Sequence, residues 1–342
     1  MSYFKITNNI EEHNGLKYHT GLNTDPHPFD ENSEHSCCMG GIYFSDREHI
    51  ARFYDYGVWI REVEPVGKVI KYTDKYRAHA VVLGERYSLG NQKTWKKLNI
   101  PPPSMRRASK EGNIEILNWW KESGLELKYS EEAMDLASKE GKIEVLNWWK
   151  KSGLELKYSE YAMDWASSKG NIKVLNWWKE SGLKIKYSKD AMDWASFKDK
   201  IEELNWWKES GLELKYSENA MKLASEKCLI NVLNWWKDSE LELKYSENVM
   251  DLASREGEID VLNWWKESGL ELKYSEKSMD LASGEGEIDV LDWWKESELE
   301  LKYSENAMEL ASEKCIIEVL NWWKESGLEL NYKKYNGMGS KE

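Results

Sequence analysis

From residue 105 onward, apolar side chains recur at helical spacing. In Ala133-Met134-Asp135-Leu136-Ala137 and again in Ile143-Glu144-Val145-Leu146-Asn147-Trp148-Trp149 they fall three and four residues apart. Leu154-Glu155-Leu156-Lys157 alternates instead. The pattern predicts a helix, a break, a second helix and a short extended connector with its leucines turned inward. The whole pattern then repeats. A Trp-Trp pair begins at 119, 148, 177, 206, 235, 264, 293 and 322, always 29 residues apart, with no insertion or deletion. Such a period is the mark of a solenoid in which each unit contacts its neighbours. Eight copies fill 101–332 and leave a tail, 333–342.

Capping chemistry fixes the helix ends. Ser130 is spaced to cap the first helix, with Glu131 and Glu132 at its positive end. Tyr129 stands where it can staple onto Met134, and the Tyr/Ser/Met spacing recurs in the later copies. In the first copy Pro101 aligns with Ser130 and is expected to open its helix. Gly141 and Gly153 occupy the inter-helix turn and the helix exit, where left-handed backbone is wanted. Asp199, Cys228 and Cys315 replace the first glycine, and Glu240 and Glu298 the second, at about 1 kcal/mol each. Both cysteines read as buried or half-buried thiols. The paired tryptophans read as core at every interface between units.

The first hundred residues differ. Strand-like runs cover 41–44, 58–63, 68–72 and 80–83, and 46–54 reads as a helix capped by Ser45 with Glu48 in the capping box. All six prolines and all six histidines lie before residue 104. This segment carries 13 basic and 13 acidic groups, so the net charge of −13 belongs wholly to the residues beyond it, the repeats and the tail together. The fold expected is an α+β domain over 1–100 followed by an all-α array. An acidic surface repels phosphate backbones and anionic lipid, which argues against nucleic-acid and membrane partners. No run approaches the ~18–20 apolar residues of a membrane span, and the polar start lacks a signal-peptide core. Four cysteines, two of them adjacent, form no disulfide framework, as suits a reducing compartment.

The order helix, turn, helix, Gly, connector resembles the ankyrin repeat. Gly141-Lys142-Ile143-Glu144-Val145-Leu146-Asn147-Trp148-Trp149 with Ser152-Gly153-Leu154-Glu155-Leu156 matches that family's second helix and exit. The unit is about four residues shorter than the usual ~33, and Tyr-Ser-Glu-x-Ala-Met replaces the Thr-Pro-Leu-His entry. The resemblance therefore implies a protruding hairpin cut down to a loop. Three amino-terminal clusters, Tyr18-His19-Thr20-Gly21-Leu22-Asn23, Gly40-Gly41-Ile42-Tyr43-Phe44-Ser45 and Tyr56-Gly57-Val58-Trp59-Ile60-Arg61-Glu62-Val63, look like the domain preceding ankyrin-type repeats in mimivirus-like giant viruses. That likeness implies action in host cytoplasm or in the virus particle.

Copies differ most at one first-helix position, occupied by Tyr161, Asp190, Asn219, Asn248, Lys277 and Asn306. Trp165 and Trp194 replace the leucine found at position 136, in two adjacent copies. These eight residues are the candidate partner-binding set of a non-catalytic scaffold that needs no cofactor and takes a protein partner, a basic one by charge. An uncapped last repeat exposes apolar surface for Tyr332, Tyr335 and Met338, or for another chain in an oligomer. Two rivals remain, a virion structural component and an enzyme. His19, Tyr43 and Glu62 loosely resemble the nicotinamide site of ADP-ribosyltransferases, which implies a His on ribose, an aromatic on nicotinamide and a Glu near the developing cation. The Thr-Gly order after His19 inverts that family's motif. Zinc is the other candidate chemistry, through His27, His35, Cys37 and Cys38, although adjacent cysteines lack the usual spacer.

Overall fold

The structure is a computed structural model that describes residues 2–30 and 40–329. Its contacts form two compact units, Met1–Tyr158 and Ser159–Glu342.

The first unit opens with strands β1 (Tyr3–Thr7), β2 (Glu12–His13), β3 (Leu16–Lys17), β4 (Gly21–Thr24), β5 (Ile42–Asp46), β6 (Trp59–Lys71), β7 (Tyr76–Leu83) and β8 (Tyr87–Ser88). β1 pairs with β5 and β6, and β7 pairs with β5 and β6, all antiparallel. Hydrogen bonding therefore runs in a closed circuit, β1-β5-β7-β6, with β4 added at β7 and β8 at β6. Ile42, Phe44, Val63, Tyr76, Ala78, Val81 and Leu83 form the core, and the Tyr3 ring meets Phe44 and Tyr76 edge-on.

Two expectations change here. The runs at 58–63 and 68–72 are one strand, because a register shift between Val66 and Val69, with Gly67 at φ +79°, bends β6 without ending it. The expected helix at 46–54 is a 3-10 helix, Ile50–Tyr56. Ser45 does not cap it, since its hydroxyl donates to the Asp74 carbonyl at 2.7 Å. Asp46 instead holds the turn that precedes the helix, accepting the N–H groups of Glu48 and His49 at 3.1 and 3.0 Å, while the helix's own N-cap, His49, has no side-chain cap bond.

A short helix, α1 (Gln92–Leu98), leads to the first repeat, α2 (Met105–Glu111) and α3 (Ile114–Glu122). Pro101 stays outside α2, whose cap is Ser104 accepting from the Arg107 N–H at 3.2 Å. Three bonds tie the sheet to this repeat: Tyr54 hydroxyl to Pro101 carbonyl, Arg107 Nη2 to Gly57 carbonyl and Asn113 Nδ2 to Gly90 carbonyl, at 2.6, 2.7 and 3.0 Å. The second repeat is α4 (Glu132–Lys139) and α5 (Ile143–Lys151).

The second unit holds six helix pairs. Its first helices are α6 (Tyr161–Ser168), α8 (Asp190–Phe197), α10 (Asn219–Glu226), α12 (Asn248–Arg255), α14 (Lys277–Glu285) and α16 (Asn306–Glu313). Its second helices are α7 (Ile172–Glu180), α9 (Ile201–Glu209), α11 (Ile230–Asp238), α13 (Ile259–Glu267), α15 (Ile288–Glu296) and α17 (Ile317–Glu325). First helices pack on first helices and second on second. No strand forms in the connectors among the described residues.

The tandem tryptophans divide their labour. Trp149, Trp178, Trp207, Trp236, Trp265, Trp294 and Trp323 are fully buried, whereas the first member of each pair is half-buried. Neighbouring positions on a helix lie about 100° apart, so one indole faces the core and the other its margin. In the second unit, from Trp207 onward, the buried indole N–H reaches back to a serine hydroxyl one copy earlier, as Trp207 does to Ser167 and Trp236 to Ser196, at 2.8 and 2.9 Å. From Tyr187 onward, the tyrosine ahead of each first helix lies against the buried indole of the helix pair that follows it, as at Tyr187 and Trp207 with centroids 4.9 Å apart.

The backbone follows the glycine reading. Gly141 and Gly153 have φ +70° and +75°, and Asp199, Cys228, Glu240, Glu298 and Cys315 adopt positive φ in their place. Cys228 is half-buried, but Cys315 is exposed, because no described residue covers the outer side of the last repeat. There Ile317 is 68% exposed. Tyr332, Tyr335, Met338 and the tail 333–342 lie outside the described residues.

Candidate functional site: the first-helix ridge

Tyr161, Asp190, Asn219, Asn248, Lys277 and Asn306 are the opening residues of α6, α8, α10, α12, α14 and α16. The structure thus brings the variable set together as one ridge along the second unit, at the positive ends of stacked helices. The serine two places before each opener sets the turn, its hydroxyl accepting the Tyr161, Asp190 and Asn219 N–H groups at 3.2, 3.1 and 3.3 Å. The cap position itself falls one residue after the serine expected there, at Glu160 and Lys189, neither of which makes a side-chain cap bond, so the serine hydroxyls hold the turn just ahead of each helix. Tyr161 and Lys277 are exposed, while Asp190, Asn219 and Asn248 are half-buried. Trp165 and Trp194 are half-buried. The Tyr161 ring stacks on Trp165 with centroids 5.0 Å apart and planes at 14°.

Beneath the ridge lies a feature that pattern reading missed. Asp164 Oδ2 accepts the hydroxyl of Ser188 at 2.6 Å and its Oδ1 accepts the Ser188 N–H at 2.9 Å. Asp193 binds Ser217, Asp251 binds Ser275 and Asp280 binds Ser304 in the same way. These buried carboxylates join each first helix to the cap of the next. Burial pushes the Asp164 carboxyl up to about 6, against the pull of the Ser188 hydrogen bonds, and Asp190 and Glu160 push the same way. Burial also raises Asp193 and Asp280. The rung lapses at Lys222, where an ammonium replaces the acceptor and Ser246 accepts from Asn248 Nδ2 instead. An aspartate inside Ala-Met-Asp-Leu-Ala, flanked by apolar residues on a core helix, was the available signal.

In the sheet, the three candidate catalytic residues are not gathered in one cavity. A 280 Å³ cavity is lined by Tyr43, Lys5, Tyr18, Asp25 and others, but by neither His19 nor Glu62. Side chains alternate across a strand. Exposed Glu62 therefore faces away from its neighbour Arg61, whose Nη1 reaches Thr20 Oγ1, beside His19, at 2.9 Å. Arg61 also makes a buried two-pronged bond to Glu11, at 2.9 and 3.0 Å. Burial pushes the Lys5 amine down to about 8, partly offset by Asp25, and the amine donates to the Tyr43 carbonyl at 2.9 Å. His35, Cys37 and Cys38 lie outside the described residues, and among those described no group of three His, Cys, Asp or Glu side chains is placed to hold a metal ion. No helix among them is long and apolar enough to cross a membrane.

Stacked helix pairs, left-handed turns and a shortened connector define a repeat protein of the ankyrin kind. No family model matches the sequence. It is 36% identical over 128 residues to an ankyrin repeat protein, R868, of Acanthamoeba polyphaga mimivirus, covering 34% of this chain and 64% of that one. A second such protein of that virus, R896, is 31% identical over 145 residues, covering 38% of this chain and 43% of its own. The uncharacterized mimivirus protein R869 is 35% identical over 100 residues, covering 28% of this chain and 72% of its own. The human ASB11 ankyrin repeat domain superposes with a TM-score of 0.41 at 14% identity, over 55% of this chain and 96% of that one. The chain belongs to the ankyrin-repeat proteins of mimivirus-like giant viruses. It spans less than two thirds of the length of the first two relatives.

Proposed function

We propose that the chain is a non-catalytic adaptor whose repeats, 101–332, present the first-helix ridge to a host or viral protein, with 1–100 as a separate module. It would act in host cytoplasm or in the virus particle. The observation that carries this reading is the stacked pair at the start of α6. Tyr161 is 44% exposed although it is a large aromatic side chain, and it is held flat on Trp165 where five of the eight copies carry leucine. A rigid aromatic with little entropy left to lose is what an interface anchor requires. Polar and charged openers on either side supply the rim. The net charge of −13 favours a basic partner and an association that weakens with salt.

The test is quantitative affinity capture from host-cell lysate with the full chain and with the double variant Tyr161→Ala/Trp165→Leu. A specific protein retained by the wild type should fall at least tenfold with the variant, whose melting curve stays close to wild type. Equal recovery by a folded variant would remove the ridge as the docking surface.

A further inference from the structure

The second helices of the second unit carry a different strip. Four of its half-buried indoles, Trp206, Trp235, Trp264 and Trp293, each donate the N–H to the asparagine one copy back, at 2.7 Å in every case. This spends the oxygen of Asn176, Asn205, Asn234 and Asn263 but leaves each Nδ2 with no protein partner among the described residues. Three positions beyond each indole stands an exposed carboxylate, such as Glu209, Asp238 or Glu267. On a helix that spacing shares a face. A second acid lies four positions before the indole at Glu202, Asp260 and Asp289, with Asn231 the exception among these copies. The lysine two positions after each indole points to another side of the helix.

The placement of the first carboxylate row is the telling fact. Glu209, Asp238 and Glu267 are the last residues of α9, α11 and α13. A carboxylate there meets the negative end of the helix dipole, which is unfavourable, and none of the three has an ion-pair partner among the described residues. The same arrangement recurs in every copy of the unit. A docked cation would meet the carboxylate, the dipole end and the face of the adjacent indole together.

We propose that this strip of indole, amide and carboxylate is a docking surface for an extended, lysine- or arginine-rich peptide segment that places one cation on each repeat. The spacing sets the register. Stacked helices lie about 10 Å apart and an extended chain advances about 3.3 Å per residue. One cation every third residue therefore matches the ladder. The inference rests on the array being a protein-binding scaffold, but not on the ridge around Tyr161.

The experiment titrates the full chain with a synthetic (Lys-Gly-Ser) repeat of six units and with a peptide of the same composition whose lysines are contiguous. The periodic peptide should bind at least fivefold tighter, should weaken as salt rises, and should shield the half-buried indoles from acrylamide quenching. The variant Glu209→Gln/Asp238→Asn/Glu267→Gln should bind at least tenfold more weakly. The variant Glu213→Gln/Glu242→Gln/Glu271→Gln removes as many charges from exposed connector positions and should stay within twofold of wild type. Equal weakening by both triple variants, or equal affinity for both peptides, would reduce the effect to general acidity and overturn the proposal. Tyr161→Ala/Trp165→Leu should bind the periodic peptide like wild type, so loss of the ridge and loss of the strip are read separately.

Discussion

Asp164 shows how one side chain can be both structural and costly. Its carboxylate accepts two hydrogen bonds from Ser188, yet it is buried, so the protonated form is favoured up to about pH 6 rather than 3.8. With the folded value raised above the unfolded one, its stabilisation is complete below about pH 4 and is lost as pH rises through about 6. Asp193 and Asp280 are displaced in the same direction. Thermal melts should therefore show the wild type losing stability between pH 4 and 6.5 relative to Asp164→Asn/Asp193→Asn/Asp280→Asn, by on the order of 2 kcal/mol. A parallel pH dependence in both proteins would contradict the assignment. The paired indoles separate just as clearly. Trp207→Leu should cost about 3 kcal/mol in denaturant unfolding, and Trp206→Leu about 1, because only the former leaves a closed cavity and takes away the buried bond that the Ser167 hydroxyl accepts, leaving it only its donation to the Ala191 carbonyl. At this scale sequence reading located the indoles but took both members of a pair for core, since periodicity does not say which of two adjacent aromatics turns inward. It passed over the aspartates because a polar residue on an apolar stripe is legible only once its partner, 24 residues away in Ser188, is known.

Elements were legible where local geometry decides them. Glycine at two fixed places per copy announced left-handed turns, and Glu240 and Glu298 adopt φ +61° even without it. Replacing both by glycine should raise stability by about 1 kcal/mol at each site, readable as a shifted urea midpoint with unchanged slope. The absent rung at Lys222 makes a similar forecast. Lys222→Asp supplies an acceptor to the Ser246 cap and should stabilise the protein by about 1 kcal/mol in the same measurement; a destabilised variant would show that α10 has adapted to the ammonium. In the sheet, local signals misled. Ser45 has the right chemistry for a cap, but its hydroxyl is drawn to Asp74, 29 residues on, and Asp46 takes the turn. The gap between the runs at 58–63 and 68–72 looked like a break between strands and is a bulge within one. Strand β1 drew no notice, although its pairing with both β5 and β6 closes the circuit. Non-local pairing left no mark in the order of residues.

Across the whole chain, the period of 29 is the fact from which most of the architecture follows. Joints in the second unit are built from bonds between residues a fixed number of positions apart: 24 for aspartate to serine, 30 for indole to asparagine, 40 for indole to serine. Removing 216–244, one period that includes Lys222, should bring Ser246 to Asp193 and leave a folded array. Circular dichroism should show retained helicity per residue and one cooperative melt a few degrees lower. Residual helix with no cooperative transition would mean that this copy has a role its neighbours cannot take over. Such like-for-like joints also bear on inheritance. An unequal crossing-over between two copies in matching phase yields a chain of different length with no damaged seam, so the number of bricks can drift while every mortar line stays sound.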